Sequence, residues 1–273
     1  MINLPHGITM QDYLFNMDIH ILLNKIDRFR KLNIKKLSPG EISKEISNVL
    51  MFDRRSVLLS YIDNFKTGTL VYRIRKLKNS EIPNNELNII QDLWNPPSKF
   101  VKRMRLNKPH ESLLYACFGI DTALEETKVN DNDSFALIAY EVIDDIKAVR
   151  IGNDDDFSSY SSDDRLKLRI INNFLKEEFI REAGEGNEHL YRVSEIIAKD
   201  YFDLPPRDVQ DAWSYPSVAN KPSINICFRP DIAKEKLKVL NVQIVNGYKR
   251  TSTDLSLNII GNIKVVNEKL IYF

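Results

Sequence analysis

The hydrophobic period of the chain first changes near residue 69, and that change constrains the fold more than any other feature. Before it, apolar residues fall at helical spacing through Tyr13, Leu14, Met17, Ile21, Leu22 and Ile26. Ser38-Pro39-Gly40-Glu41 predicts a helix start: Ser38 suits the N-cap, Pro39 the first helical position, and Glu41 completes a capping box. That helix is expected to run to about Asn48, and a further one over Arg54 to Phe65, before Lys66-Thr67-Gly68 breaks the pattern. From Thr69 to Arg75 residues alternate and are rich in β-formers, which predicts a strand.

Strands and helices then mix. Residues 76–100 hold Pro83, Pro96 and Pro97 and read as a long loop with one short helical turn. Leu113 to Ala116 reads as a short buried strand, and Asp121 or Thr122 as the cap of a following helix. Further strands are expected over Ser134–Val142, Ala148–Ile151, Ser223–Phe228, Leu237–Val245, Leu255–Ile260, Lys264–Val266 and Leu270–Phe273. Helices are expected over Arg165–Ala183 and Asn187–Phe202, parted by Gly184-Glu185-Gly186. The expectation is an α+β chain: a helical region at 1–68 and a mixed α+β domain at 69–273.

Charge and composition narrow the function. The 39 basic and 38 acidic residues leave a net charge of +1, so no overall field draws in nucleic acid. Cys117 and Cys227, and the four histidines, show no metal-ligand spacing, and the two thiols are expected to be buried and reduced. The N-terminus lacks a basic region followed by an apolar stretch, and no window has the length of a membrane span, so a cytoplasmic protein is expected.

There is no glycine-rich phosphate loop and no nucleophile elbow, which leaves Arg, Glu, Tyr, Ser and Asn to do any chemistry. Those types suit a phosphate-bearing substrate whose reaction centre becomes cationic. Arginine pairs with pyrophosphate through its planar fork, a carboxylate stabilises an oxocarbenium-like centre, and an aromatic ring stacks on a base. Four stretches hold such residues in order. In the first, Tyr72 and Ile74 face one way and Arg73 and Arg75 the other. The second holds Arg105 and Asn107, the third Tyr115 with Glu125 and Glu126, and the fourth Trp213 to Ser217 followed by Asn225. Each has a plain structural reading as well: a solvated basic strand, a surface basic cluster, a core tyrosine with first-turn acidic residues, and a hydroxyl-capped turn.

Taken together, Tyr72-Arg73, Arg105-Leu106-Asn107, Leu114-Tyr115, Thr122-Ala123-Leu124-Glu125-Glu126, Tyr215-Pro216-Ser217 and Asn225 resemble the motif set of the RES domain family. The resemblance covers roughly residues 69–245. It implies a fold like ADP-ribosyltransferases, with a mixed or antiparallel sheet core and flanking helices, and an enzyme that consumes NAD⁺ by glycohydrolysis or phosphorolysis, with inorganic phosphate as co-substrate in the second case. Some relatives transfer ADP-ribose to a protein instead, and a non-catalytic nucleotide-binding module is the third reading. RES proteins are usually toxins paired with Xre-like antitoxins, so the implied partners are an antitoxin or regulatory protein, or a second copy of the chain. On this resemblance Arg73 and Arg105 would bind the pyrophosphate or the attacking phosphate, and Tyr115 would line the nicotinamide pocket. Glu126, chosen over Glu125 by the family spacing, would orient the ribose and stabilise the developing cation. Ser217 would bind the nicotinamide amide or the ribose, and Tyr72, Asn107 and Asn225 would complete the NAD⁺-binding set. Two departures stand out: Met104 and the Lys108-Pro109-His110-Glu111 run lie where the family often has glycine.

Overall fold

The computed structural model describes residues 10–56, 58, 60–152, 157–183, 186–204, 209–251 and 254–273. Along the chain run α1 (Met10–Phe15), α2 (Ile19–Arg30), α3 (Pro39–Leu50), β1 (Tyr61–Phe65), β2 (Leu70–Lys76), β3 (Leu114–Cys117), α4 (Ile120–Thr127), β4 (Ser134–Val142) and β5 (Ile146–Arg150). There follow α5 (Ser162–Ile180), α6 (Tyr191–Ile196), β6 (Ala212–Pro216), β7 (Ile224–Phe228), α7 (Pro230–Lys236), β8 (Leu237–Arg250), β9 (Leu255–Val266) and β10 (Lys269–Tyr272). The chain is α+β, and no helix among the described residues is long and apolar enough to cross a membrane.

Two compact units share the chain. The first takes Met1–Tyr61, Arg103–Leu106 and Arg150–Asp203; the second takes Ile62–Lys102, Asn107–Val149 and Leu204–Phe273. This corrects the expected boundary at 68/69: α5 and α6 belong with the N-terminal helices.

Local chemistry explains the helices of the first unit. Asp18 accepts from the Ile21 amide at 3.0 Å to start α2. Ser38 and Glu41 form the expected capping box at α3, with bonds of 3.3 and 2.7 Å. Leu22, Ile26 and Phe29 on α2, and Ile42, Ile46 and Val49 on α3, form buried stripes at helical spacing. Ile21, read as part of the stripe, is 52% exposed. Buried charges here are paired: Lys167 bonds Asp163 and the Leu14 carbonyl, Glu178 meets Arg30 and Arg181, and Glu195 meets Arg103.

Among the described residues of Arg54–Phe65 the expected helix does not form. Asp53 and Arg54 take left-handed backbone angles (φ 47° and 59°) and close a tight turn bridging Phe52 and Arg55. Tyr61–Phe65 alternates in exposure as a strand does.

Among the described residues the second unit is built on a ten-stranded sheet in the order β1-β5-β6-β7-β3-β2-β4-β8-β9-β10. From β6 to β10 every neighbouring pair is antiparallel. Period-two alternation sorts its residues. Val71, Ala116, Ala136, Ile138, Tyr140, Ile226 and Phe228 lie in one buried cluster, together with Leu87, Leu93 and Trp94 of the long loop after β2. Ile74, Cys117, Phe135, Leu137 and Val245 lie in a second, with Ala123 and Leu124 of α4.

Sequence reasoning divides β9 at Gly261, whereas the strand is continuous. A Cβ at Gly261 would lie 2.5 Å from Ile82 Cδ1, so the glycine serves a close side-chain approach. Strand β6 and helix α7 are additional to the sequence expectation.

Candidate functional site

Strand register lines up the site's floor. Tyr72 pairs with Cys117, Cys117 with Asn225, and Asn225 with Tyr215, a row across β2, β3, β7 and β6. Directly paired residues point to the same face of a sheet, so this row presents two tyrosines with a thiol and an amide between them. At strand spacings of about 4.8 Å the tyrosine backbones stand roughly 14 Å apart. The next row, Tyr115, Cys227 and Trp213, lies two residues further along on that face.

Helix α4 and the β6–β7 turn bring polar groups to the row. Glu126 is in the last turn of α4, and its Oε1 accepts three hydrogen bonds: from Ser217 Oγ at 2.6 Å, the Val218 amide at 3.2 Å and Asn225 Nδ2 at 2.8 Å. No donor among the described residues is bonded to Glu126 Oε2. Ser217 and Asn225 are 0% and 3% exposed, whereas Glu126 is half-buried.

The turn is itself pinned. Ser217 N–H donates to the Ser223 carbonyl at 2.8 Å and Asn220 N–H to Ser217 Oγ at 2.9 Å. Asn220 Nδ2 donates to Thr122 Oγ1 at 3.1 Å, one helical turn before Glu126 on the same side of α4. Because Ser217 Oγ accepts from Asn220, its own proton is directed to the carboxylate.

Asn225 is fixed in one orientation. Its Nδ2 must face the carboxylate, since a flipped amide would set oxygen against oxygen. Its Oδ1 is then buried with no hydrogen-bond partner. A buried unpaired acceptor costs about 1–3 kcal/mol, which the bond from Nδ2 to the carboxylate helps to offset. Cys117, beside Asn225 in the row, has its thiol pushed up to about 12, first by burial and then by the charge of Glu126.

The other candidates go elsewhere. Arg73 falls on the opposite face of β2 from Tyr72. There it donates to the Trp94 carbonyl beside the Tyr140 hydroxyl, which burial pushes up and which donates to the Leu93 carbonyl. Arg75 likewise bonds the Asp92 carbonyl at 2.9 Å, so the two arginines hold down the long loop after β2. Arg105 belongs to the first unit. It donates to the carbonyls of Phe179 and Arg181, at 2.7 and 3.0 Å, where α5 ends, and lies over the Tyr191 ring. A cation suits those orphan carbonyls.

Asn107 is a loop staple: its Nδ2 serves the Lys102 and Lys108 carbonyls and its Oδ1 accepts from Tyr115 Oη at 2.8 Å. Glu125 pairs with Arg250, which also holds Asp121. The structure therefore gathers Glu126, Ser217 and Asn225 into one cluster, with Tyr72 in the row beneath. It does not bring Arg73 to them. Thr122, Val218 and Asn220 are additions; the Ser-x-x-Asn spacing of a hydroxyl-stabilised turn is the signal that points to Asn220.

Among the described residues no group of three His, Cys, Asp or Glu side chains is placed to hold a metal ion. The chain matches no protein-family model and no curated protein.

Proposed function

We propose that the chain is an NAD⁺-consuming enzyme of RES type on an ADP-ribosyltransferase-like fold, and that it cleaves the bond between nicotinamide and ribose. The observation that carries this reading is the fixed carboxylate: Glu126 Oε1 is held by three donors, while Oε2 is bonded to no donor among the described residues. Such a group can take a ribose hydroxyl and lie beside a carbon that becomes cationic. Asn225 supports the same reading through its Nδ2, which holds the carboxylate at 2.8 Å.

In the reaction the C1′–N bond breaks and its electron pair passes to the pyridinium nitrogen, releasing neutral nicotinamide. The negative charge of Glu126 offsets the oxocarbenium that remains, and water or phosphate then adds at C1′. Ser217 and Asn225 position the carboxylate and do not themselves accept the leaving group.

A second reading is a nucleotide-binding module without turnover, and in either reading the guanidinium groups of Arg73 and Arg105 stay engaged with backbone carbonyls. One experiment separates the two. The purified chain is incubated with NAD⁺, with and without inorganic phosphate, and the products are resolved. Nicotinamide released without phosphate means a glycohydrolase, and release that requires it means a phosphorylase. NAD⁺ bound but intact means the module, and label left on protein means transfer of ADP-ribose.

A further inference from the structure

The first unit carries a cleft that the NAD⁺ reading does not use. Lys25, Arg28 and Phe29 stand at positions i, i+3 and i+4 of α2, and Glu45, Asn48 and Val49 repeat that spacing on α3. Met51 and Arg54 close the end. The cleft measures about 460 Å³, within the roughly 300–1,000 Å³ of small-molecule sites.

Its walls are cationic and its floor is apolar. Phe29 and Val49 are buried, while Met51 is 39% exposed. Lys25 donates to the Met51 carbonyl and lies 3.9 Å from the centre of the Phe52 ring, so its ammonium is held in place. Glu45 is engaged with Asn48 at 3.3 Å. Arg28 and Arg54 are exposed, and their side chains make no hydrogen bond or ion pair among the described residues. Arg54 reaches its position from a left-handed backbone (φ 59°), next to Asp53 in the same state (φ 47°). The two are the central pair of the tight turn that bridges Phe52 and Arg55.

Three cations against one carboxylate leave two positive charges, matching the dianion of a phosphate monoester. Two planar forks and one ammonium suit its three terminal oxygens. Met51, together with Phe29 and Val49 in the same lining, suits an apolar or flat body attached to that phosphate. We propose that this cleft binds a small organic phosphate of the nucleoside monophosphate class.

The test is calorimetric titration of the full chain with AMP and, separately, with inorganic phosphate. The expected result is AMP bound at least about ten-fold more tightly than phosphate, because only AMP uses the floor. The Arg28→Gln/Arg54→Gln variant should weaken AMP by about ten-fold or more with an unchanged melting temperature, both side chains being exposed and unbonded. Glu126→Gln should leave AMP binding as it was, which separates this cleft from the NAD⁺ site. The proposal is overturned by absence of AMP binding, by equal affinity for AMP and phosphate, by full affinity in the double arginine variant, or by loss of AMP binding in Glu126→Gln.

Discussion

Asn225 gives its amide N–H to Glu126 and by that bond leaves its own buried carbonyl oxygen without a hydrogen-bond partner. The pair thus holds two acceptor oxygens bonded to no donor among the described residues, Oε2 of the carboxylate and Oδ1 of the amide. Asn225→Asp would set a second carboxyl against the first. At neutral pH it should cost about 3 kcal/mol, equivalent to raising a carboxyl pKa by two units. The introduced carboxyl would titrate higher when folded than when unfolded, so the penalty is present at pH 7 and shrinks as pH falls toward the unfolded value. Urea denaturation of both proteins at pH 7 and pH 4 checks this; an equal penalty at the two pH values would contradict it.

Glu125 and Glu126 are neighbours with different partners, one on Arg250 and the other on Ser217 and Asn225. Glu126→Gln should lower NAD⁺ turnover by about 100-fold or more. Glu125→Gln should leave it within about two-fold, since its exposed ion pair contributes little. Initial rates of nicotinamide release for the two variants decide, and the reverse ranking would move the chemistry to the Arg250 side of α4.

Arg73 acts as a fastener in this structure. Arg73→Leu should remove the bond to the Trp94 carbonyl and destabilise the second unit by about 1–3 kcal/mol. NAD⁺ affinity per folded molecule should stay the same. A melting curve paired with a binding titration tests both halves; lost affinity at unchanged stability would return Arg73 to substrate binding.

Cys117 reports on Glu126 through charge. Its thiol, pushed up to about 12, should resist alkylation at pH 8 in the native protein. Removing the carboxylate charge in Glu126→Gln takes away one of the two causes, so the thiol pKa should fall and alkylation of Cys117 should quicken. Mass spectrometry after timed iodoacetamide treatment measures it, and equal rates in the two proteins would separate the residues electrostatically.

Local signals were readable and distant ones were not. The Ser38–Glu41 box spans four residues and is visible as such. So is the alternation that parts Tyr72 from Arg73, because both depend only on backbone geometry. Ala212–Pro216 was obscured by its Tyr-Pro-Ser ending, which resembles a turn, while the partner that makes it a strand is β7. The choice between Glu125 and Glu126 depends on helical phase, about 100° per residue, and so on the helix start and on what packs against it. Motif spacing favoured Glu126 from sequence; its hydrogen-bond partners lie 91 and 99 residues away. The destination of Arg105 was hidden for another reason: four residues, Arg103–Leu106, belong to a different unit from the residues on either side of them.

That excursion is one of several. In order, the segments 1–61, 62–102, 103–106, 107–149, 150–203 and 204–273 alternate between the two units. During synthesis the N-terminal helices emerge first, yet α5 and α6, which complete their unit, arrive more than a hundred residues later. Neither unit can therefore be finished early and set aside while the other is made, and contacts between such distant segments form slowly. Truncation at residue 68 would accordingly yield two incomplete fragments, and coexpressing them should restore the fold better than either expressed alone.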